Sequence, residues 1–341
     1  MILGALTRRQ DLSAEQAAAA LAEILEGEAT AAQIAGFGVA LRMKGETVEE
    51  LVALLRTLLD FAPRVPLPDE LAAAVVDTCG TGGDRSGTIN VSTLAAFVVA
   101  GAGAPVCKHG NRSASSACGS ADVLEALGVS IDLGPEGVAA CIAEAGMGFC
   151  FAPKFHAALR HAGPPRRELG VPTVFNFLGP MANPGRVRRQ ALGVSDPAMA
   201  ERMIGVLAAN GAARALVFYG HDGLDELSTT STSTVFELRD GEVRTYVVDP
   251  ADLGVARASP AALRGGDAPT NADLARRVLD GEDGPQRDIV VLNAAAGLVA
   301  AGLADDLGAG LAAAAASVDS GAAAAVLERL VKVSKERAGA A

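Results

Sequence analysis

The sequence predicts an α/β protein, with a small all-helical unit at the N-terminus and a large domain built on a mostly parallel central sheet. Three observations carry this reading. One helix-start signature recurs at Ser13-x-x-Gln16, Thr30-x-x-Gln33 and Thr47-x-x-Glu50. A proline-rich stretch, "APRVPLPDE" at residues 62–70, then interrupts the helical pattern. Beyond it, short apolar runs alternate with helical stretches, which is the rhythm of β-α-β units.

In each signature the first hydroxyl can accept from the amide three residues on, while the Gln or Glu side chain reaches back, so two amides without helical partners are satisfied together. Apolar residues follow at helical spacing, as at Ile34, Phe37, Val39 and Leu41, and again at Leu51, Leu54, Leu55 and Leu58. Residues 1–65 therefore form the helical unit, the proline stretch is a linker or hinge, and residues 66–341 form the large domain. In that domain "AAAVVDTCG", "STLAAFVVAGAG", "APVCKHG" and "GSADVLEALG" read as strand, helix, strand, helix. Further strands are expected at "GFCFAP" and "RALVFYG", and "TVFELRDGEVRTYVV" contains an Asp-Gly pair suited to a hairpin turn. "GPMANPGR" reads as irregular, and the alanine-rich C-terminal stretch as helix that packs rather than reacts.

Composition narrows the function. With 341 residues, 50% hydrophobic, the chain can bury one large core or two unequal ones. A net charge of −11 argues against a nucleic-acid or anionic-membrane surface, because either needs clustered Lys and Arg. Five cysteines without a C-x-x-C pair fit a reduced, cytoplasmic protein. The N-terminus does not read as a signal peptide, and the apolar run from Leu94 to Cys107 is glycine-interrupted and too short to span a bilayer. His109, His156, His161 and His221 lack zinc-ligand spacing, and no G-x-S-x-G elbow or Cys/His signature stands out.

The segment "DTCGTGGD", residues 77–84, lacks the lysine of a Walker loop and the spacing of a dinucleotide fingerprint. What remains is backbone that can approach a ligand closely, since glycine tolerates positive φ and has no Cβ, so successive amides can cradle an anion. Ligands of open α/β sheets sit at the carboxyl ends of strands. The unusual residues gather there: Gly80 to Asp84, followed by Asn90, Ser92 and Thr93 at a helix start; Lys108 and Arg112 beside Asn111, Ser115, Ser116 and Ser120; and Asp225 with Glu226. Ser92 and Thr93 also read as simple N-caps, Asp225 and Glu226 as a solvated acidic turn, and Lys108 and Arg112 as surface charges. Their shared placement after strands favours one polar site, where carboxylates and a serine hydroxyl offer hard oxygen ligands to Mg²⁺ held together with phosphate.

Several motifs in order, "ALRMKGET", "DTCGTGGD", "NVSTLAA", "KHGNRSASSACGSADVLEALG", "RRELGVPTVFNFLGPMANP" and "GHDGLDELS", resemble those of the anthranilate phosphoribosyltransferases, over residues 10–330. The resemblance implies a nucleoside-phosphorylase-like fold of the class IV phosphoribosyltransferases, a homodimer, and a site at the hinge. A segment near 164–180 would rejoin the helical unit. It implies transfer of phosphoribose from phosphoribosyl pyrophosphate to anthranilate, a step of tryptophan synthesis. By the same resemblance Gly80, Gly83, Asp84, Thr88, Asn90, Val91, Ser92 and Thr93 would bind phosphoribosyl pyrophosphate. Lys108, His109, Gly110, Asn111, Arg112, Ser113, Ala114, Ser115 and Ser116 would close over it, with Ser120 adding a contact. Ser92, Asp225 and Glu226 would hold Mg²⁺; Gly80, Asn111 and Arg166 would meet anthranilate, with His109 and His156 lining its pocket. The chain departs from the family pattern at Ala117, Pro164-Pro165 and Pro172. An arylamine is neutral near pH 7, so the chemistry implies no dedicated general base. A pyrimidine nucleoside phosphorylase and a nucleic-acid-binding relative are the alternatives.

Overall fold

The structure, a computed structural model, describes residues 2–113 and 117–339. Helices α1 (Ile2–Thr7), α2 (Ala14–Glu26), α3 (Ala31–Lys44) and α4 (Val48–Asp60) come first. Each of α2, α3 and α4 starts in a capping box, at Ser13, Thr30 and Thr47, with both reciprocal bonds formed. Leu51, Leu54, Leu55 and Leu58 are buried on one side of α4.

Next come α5 (Asp69–Ala74), β1 (Asp77–Gly80), α6 (Val91–Gly101), β2 (Val106–Gly110), α7 (Ser120–Ala126), α8 (Pro135–Ala145), β3 (Met147–Phe151) and α9 (Ala152–Phe155). They are followed by α10 (Gly163–Leu169), α11 (Val174–Met181), β4 (Arg189–Gly193), α12 (Pro197–Ala209), β5 (Arg214–Gly220), β6 (Ser233–Arg239) and β7 (Glu242–Val248). Four helices close the chain: α13 (Ala268–Leu279), α14 (Pro285–Ala301), α15 (Leu307–Asp319) and α16 (Ala322–Ala338).

One sheet runs β1-β4-β5-β6-β7, and β2 pairs with β3 beside it. The pairs β1–β4, β4–β5 and β2–β3 are parallel, whereas β6 and β7 turn back as an antiparallel hairpin. A parallel bridge between Val76 and Val106 links the two sheets. The hairpin turns at Asp240 and Gly241, both with positive φ (53° and 81°), as its Asp-Gly sequence predicts.

Strand β5 shows how the core is divided. Leu216 and Phe218 face the core shared with α6 and α14, while Ala215 and Val217 face the core that contains α12 and the N-terminal helices. Successive side chains of a strand point to opposite faces, so the sheet is covered on both. Helices α10 and α11 pack on α3, and α11 also on α4, so this segment lies against the helical unit. Pro164 and Pro165 sit in the first turn of α10, where a missing N–H costs nothing.

Three features differ from the sequence expectation. In "AAAVVDTCG" the three alanines complete α5, and only Asp77–Gly80 forms β1. Strand β4 lies between β1 and β5 although nothing in its sequence announced it. The segment "GPMANPGR" is only partly irregular, because its first three residues complete α11 with Pro180 in the last turn, where the proline forgoes one helical bond, to the Asn176 carbonyl, and little helix follows to be disrupted.

Candidate active site

The three polar loops converge. Asp225 Oδ2 accepts from the Gly82 N–H at 2.7 Å, Glu226 Oε1 accepts from the Ser92 N–H at 3.2 Å, and Lys108 Nζ donates to Ser92 Oγ at 3.3 Å. Lys108 also donates to the Thr78 carbonyl. The reading of Asp225 and Glu226 as a solvated turn is therefore corrected: each is 8% exposed, and Lys108, 1% exposed, is no surface charge. The physical reason is mutual. Each group gains a partner from another loop that its own loop could not supply.

Glycines make this approach possible. In the β1–β4 register Gly80 lies beside Gly193. A Cβ on Gly80 would fall 2.3 Å from Asp225 Oδ2, and one on Gly193 only 1.6 Å from the Asp225 carbonyl oxygen. Gly82 and Gly83 turn the loop with φ of 67° and 84°. Ser195 then pins it: its Oγ donates to the Gly82 carbonyl at 2.8 Å, and its N–H donates to Thr81 Oγ1 at 3.0 Å. The carboxylate loop is fixed from α14, where Asn293 accepts from the Leu227 N–H and donates to the Leu227 carbonyl.

Burial first, then the neighbouring Asp84, pushes the Asp225 carboxyl up to about 7; burial and Asp225 push Glu226 well above its ordinary value. Burial pulls Lys108 down, opposed by Asp77, Cys79 and Glu226. Lys108 thus answers Glu226 and Asp77, while the charged neighbour of Asp225 is another acid, Asp84. This deficit of positive charge, with the hard oxygens of Asp225, Glu226 and Ser92, fits Mg²⁺.

The other expected residues are placed as follows. Asp84 is half-buried and accepts from the Ser86 N–H, and Thr88 Oγ1 lies 3.2 Å from Ser86 Oγ. Asn90 stands at the start of α6 but does not cap it; its amide donates to the Cys118 carbonyl and accepts from Asn271. Val91 and Thr93 are buried, and Thr93 Oγ1 has no partner among the described residues. Gly110 ends β2, and Asn111 Oδ1 accepts from the Arg112 N–H. Arg112 is paired with Asp122 at 2.8 Å and Glu125 at 2.5 Å, and the Ser113 N–H donates to Asp122. Ser120 begins α7. Ala114, Ser115 and Ser116 lie outside the described residues.

Both histidines reach backbone carbonyls. His109 sits between Asp77 Oδ2, 2.6 Å from Nδ1, and the Gly179 oxygen, 2.8 Å from Nε2. His156 Nε2 donates to the Ala182 oxygen at 2.8 Å, leaving a buried Nδ1 without a partner among the described residues. Arg166 is half-buried on α10, and its side chain makes no hydrogen bond or ion pair among the described residues; the guanidinium lies over Phe175, 5.8 Å from the ring centroid. Burial pulls its pKa down.

Sequence reasoning missed Asp77, Gln190, Gly193, Ser195 and Asn293. Only Asp77 carried a signal, as a charge inside an apolar strand. Asp77, Cys79 and His109 bring possible metal-ligand atoms within 4.8 Å of one another. Asp77 is instead saturated by His109, Asn183 and Gln190, and Gln190 also donates to Cys79.

His156 yields a stability prediction. Burial, then His109 nearby, pushes its pKa down to about 4 from 6.5. On acidification the unfolded chain takes up this proton first, so stability falls as pH drops from about 6.5 towards about 4. His156→Gln keeps a donor for Ala182 and removes the titration. Between pH ~7 and ~4.5 wild type should lose about 2 kcal/mol more than the variant in urea unfolding. Equal losses would show that His156 is not buried in its neutral form.

Comparison with known proteins extends the picture. Residues 1–62 match the glycosyl transferase family helical bundle domain, and residues 72–324 the a/b domain of the glycosyl transferase family. The chain is 55% identical over 338 residues to the anthranilate phosphoribosyltransferase of Salinispora arenicola (strain CNS-205), covering 98% of this chain and 96% of that one. Its structure resembles that of the Thermus thermophilus anthranilate phosphoribosyltransferase, with a TM-score of 0.92, 42% identity, and coverage of 98% of this chain and 99% of that one. The Saccharomyces cerevisiae enzyme solved with PRPP and Mg is also similar, with a TM-score of 0.88, 27% identity and 98% coverage of both chains. The same yeast enzyme solved with 4-fluoroanthranilate gives 0.86 and 25%, again covering 98% of each.

Proposed function

The chain belongs to the anthranilate phosphoribosyltransferase family, and we propose that the cleft where the loops after β1, β2 and β5 meet is the seat of that family's reaction. The protein transfers the phosphoribosyl group of 5-phosphoribosyl 1-pyrophosphate to the amine of anthranilate, forming N-(5-phosphoribosyl)anthranilate and pyrophosphate in tryptophan biosynthesis. One observation carries the assignment of the site: two buried carboxylates bonded across the fold to the amides of Gly82 and Ser92.

In this reading Gly80, Gly83, Asp84, Thr88 and residues 90–93 hold the pyrophosphate and ribose, and residues 108–116 with Ser120 cover them. Ser92, Asp225 and Glu226 would hold Mg²⁺, which when bound supplies positive charge for the departing pyrophosphate. The loop amides add donors already fixed in position, so little reorganisation accompanies bond breaking. Arg166 would pair its planar fork with the anthranilate carboxylate, and Gly80 and Asn111 would border the ring. His109 and His156, with ring nitrogens directed at carbonyls, would line the pocket with ring faces. Holding the neutral amine beside C1 of the ribose replaces an encounter in solution by a fixed approach.

The reading includes a cytoplasmic homodimer. The five cysteines are buried and form no disulfide among the described residues, which agrees with a reduced compartment, and no single helix among the described residues is long and apolar enough to cross a membrane. Sedimentation at several concentrations tests the dimer.

The reaction is tested by the loss of anthranilate fluorescence. It should require both phosphoribosyl pyrophosphate and Mg²⁺. Phosphorolysis of pyrimidine nucleosides, with no use of anthranilate, would overturn the assignment.

A further inference from the structure

Helix α11 ends at Gly179 to Ala182, where the Gly179 carbonyl still accepts from the Ala182 N–H at 3.0 Å and the carbonyls after it run out of helical partners. Side chains from the sheet domain take them. His109 Nε2 lies 2.8 Å from the Gly179 oxygen, Gln190 Nε2 donates to the Pro180 oxygen at 2.7 Å, and His156 Nε2 donates to the Ala182 oxygen at 2.8 Å. Behind two of these three contacts stands one carboxylate. Asp77 Oδ2 lies 2.6 Å from His109 Nδ1 and accepts from Asn183 Nδ2 at 2.9 Å and Gln190 Nε2 at 3.3 Å.

The geometry around His109 limits its protons. A peptide carbonyl cannot donate, and neither can an ionised carboxylate, so a ring held between Gly179 and Asp77 must donate from both nitrogens. A neutral ring would aim a lone pair at one of the two oxygens; the Asn183 amide nitrogen, 3.4 Å from Nδ1, already gives its two N–H groups to Asp77 and the Cys107 carbonyl. Asp77 is fully buried, which opposes its charge, yet His109, Lys108 and Asn183 hold its carboxyl below the ordinary range.

We propose that Asp77 is a positioning residue: by keeping His109 doubly protonated it clasps the end of α11 to the sheet, and through α11 it sets where Arg166 lies. The link is short. Helix α11 carries Phe175, and the Arg166 guanidinium rests over that ring. The inference rests on the reading of Arg166 as the partner of the anthranilate carboxylate.

Nitrogen NMR of the histidine rings in the wild-type protein near neutral pH tests the first half without any substitution. Protons on both His109 nitrogens support the proposal, and one bare nitrogen overturns it, whether or not any variant folds. Asp77→Asn keeps the shape and one acceptor but removes the charge. The ring should then lose a proton, and the KM for anthranilate should rise about fivefold to twentyfold while that for phosphoribosyl pyrophosphate stays within about twofold, the size expected for a shifted positioning group. In an Arg166→Ala background the same change should add less than about twofold to the anthranilate KM, because the two residues act in series. An equal rise in both KM values, or a full further rise in that background, overturns the proposal. If Arg166→Ala alone leaves the anthranilate KM unchanged, the carboxylate assignment is what fails, and the His109 spectrum still decides whether Asp77 holds the ring.

Discussion

Replacing Asp225 and Glu226 together by Asn and Gln should lower kcat/KM for phosphoribosyl pyrophosphate on the order of a thousandfold, about 4 kcal/mol of barrier, and raise the Mg²⁺ concentration needed for turnover. The amides keep the acceptors for the Gly82 and Ser92 N–H groups, so the loops keep their connections. What disappears is charge. In the metal-free protein that charge is a burden, because burial pushes both carboxyls up, Asp225 to about 7. An acid whose folded value is raised adds stability below its unfolded value and loses it as pH climbs towards the folded one. From about pH 7 upward the double variant should therefore melt no lower than wild type without Mg²⁺, and it should gain less from added Mg²⁺. Unchanged Mg²⁺ dependence removes the pair from the metal site, and a loss of activity matched by a loss of stability makes them structural.

Arg166→Ala should raise the anthranilate KM roughly tenfold to a hundredfold, equivalent to about 1.5–3 kcal/mol for a charge-assisted pair in a partly desolvated site. The KM for phosphoribosyl pyrophosphate should change much less. Arg166 is half-buried with no anionic partner among the described residues, and burial already lowers its pKa. A guanidinium in that position is short of a carboxylate, and the substrate carries one. Its neighbour Arg167 is exposed and serves as the control. Equal, small effects of Arg166→Ala and Arg167→Ala would mean that the carboxylate binds elsewhere.

Much of the fold was legible because its signals are local. The capping boxes at Ser13, Thr30 and Thr47 involve groups three residues apart, and the Asp240–Gly241 turn needs only two residues that tolerate positive φ. Strand β4 was not legible. Its five residues, "RQALG", carry two apolar side chains, and it is a strand because β1 and β5 flank it. Pro180 suggested an irregular segment, yet α11 runs through it, with the Pro180 carbonyl taken by Gln190.

The candidate site divides along the same line. The sequence by itself determined which residue types stand after which strands: glycines after β1, Lys108 and His109 at the end of β2, and Asp225 with Glu226 after β5. It could not determine their burial. Lys108 reads as a surface charge in its own segment and becomes a buried one because Thr78 and Ser92 close on it from elsewhere. Only the tertiary structure decided that Asp77 sits behind His109, that Gly193 clears the way for Asp225, and that Asn293 fixes the carboxylate loop. Capping and turn preferences act within a few positions along the chain, whereas the bond between Gly82 and Asp225 joins residues 143 positions apart, and nothing but the packing of the sheet brings them within 2.7 Å.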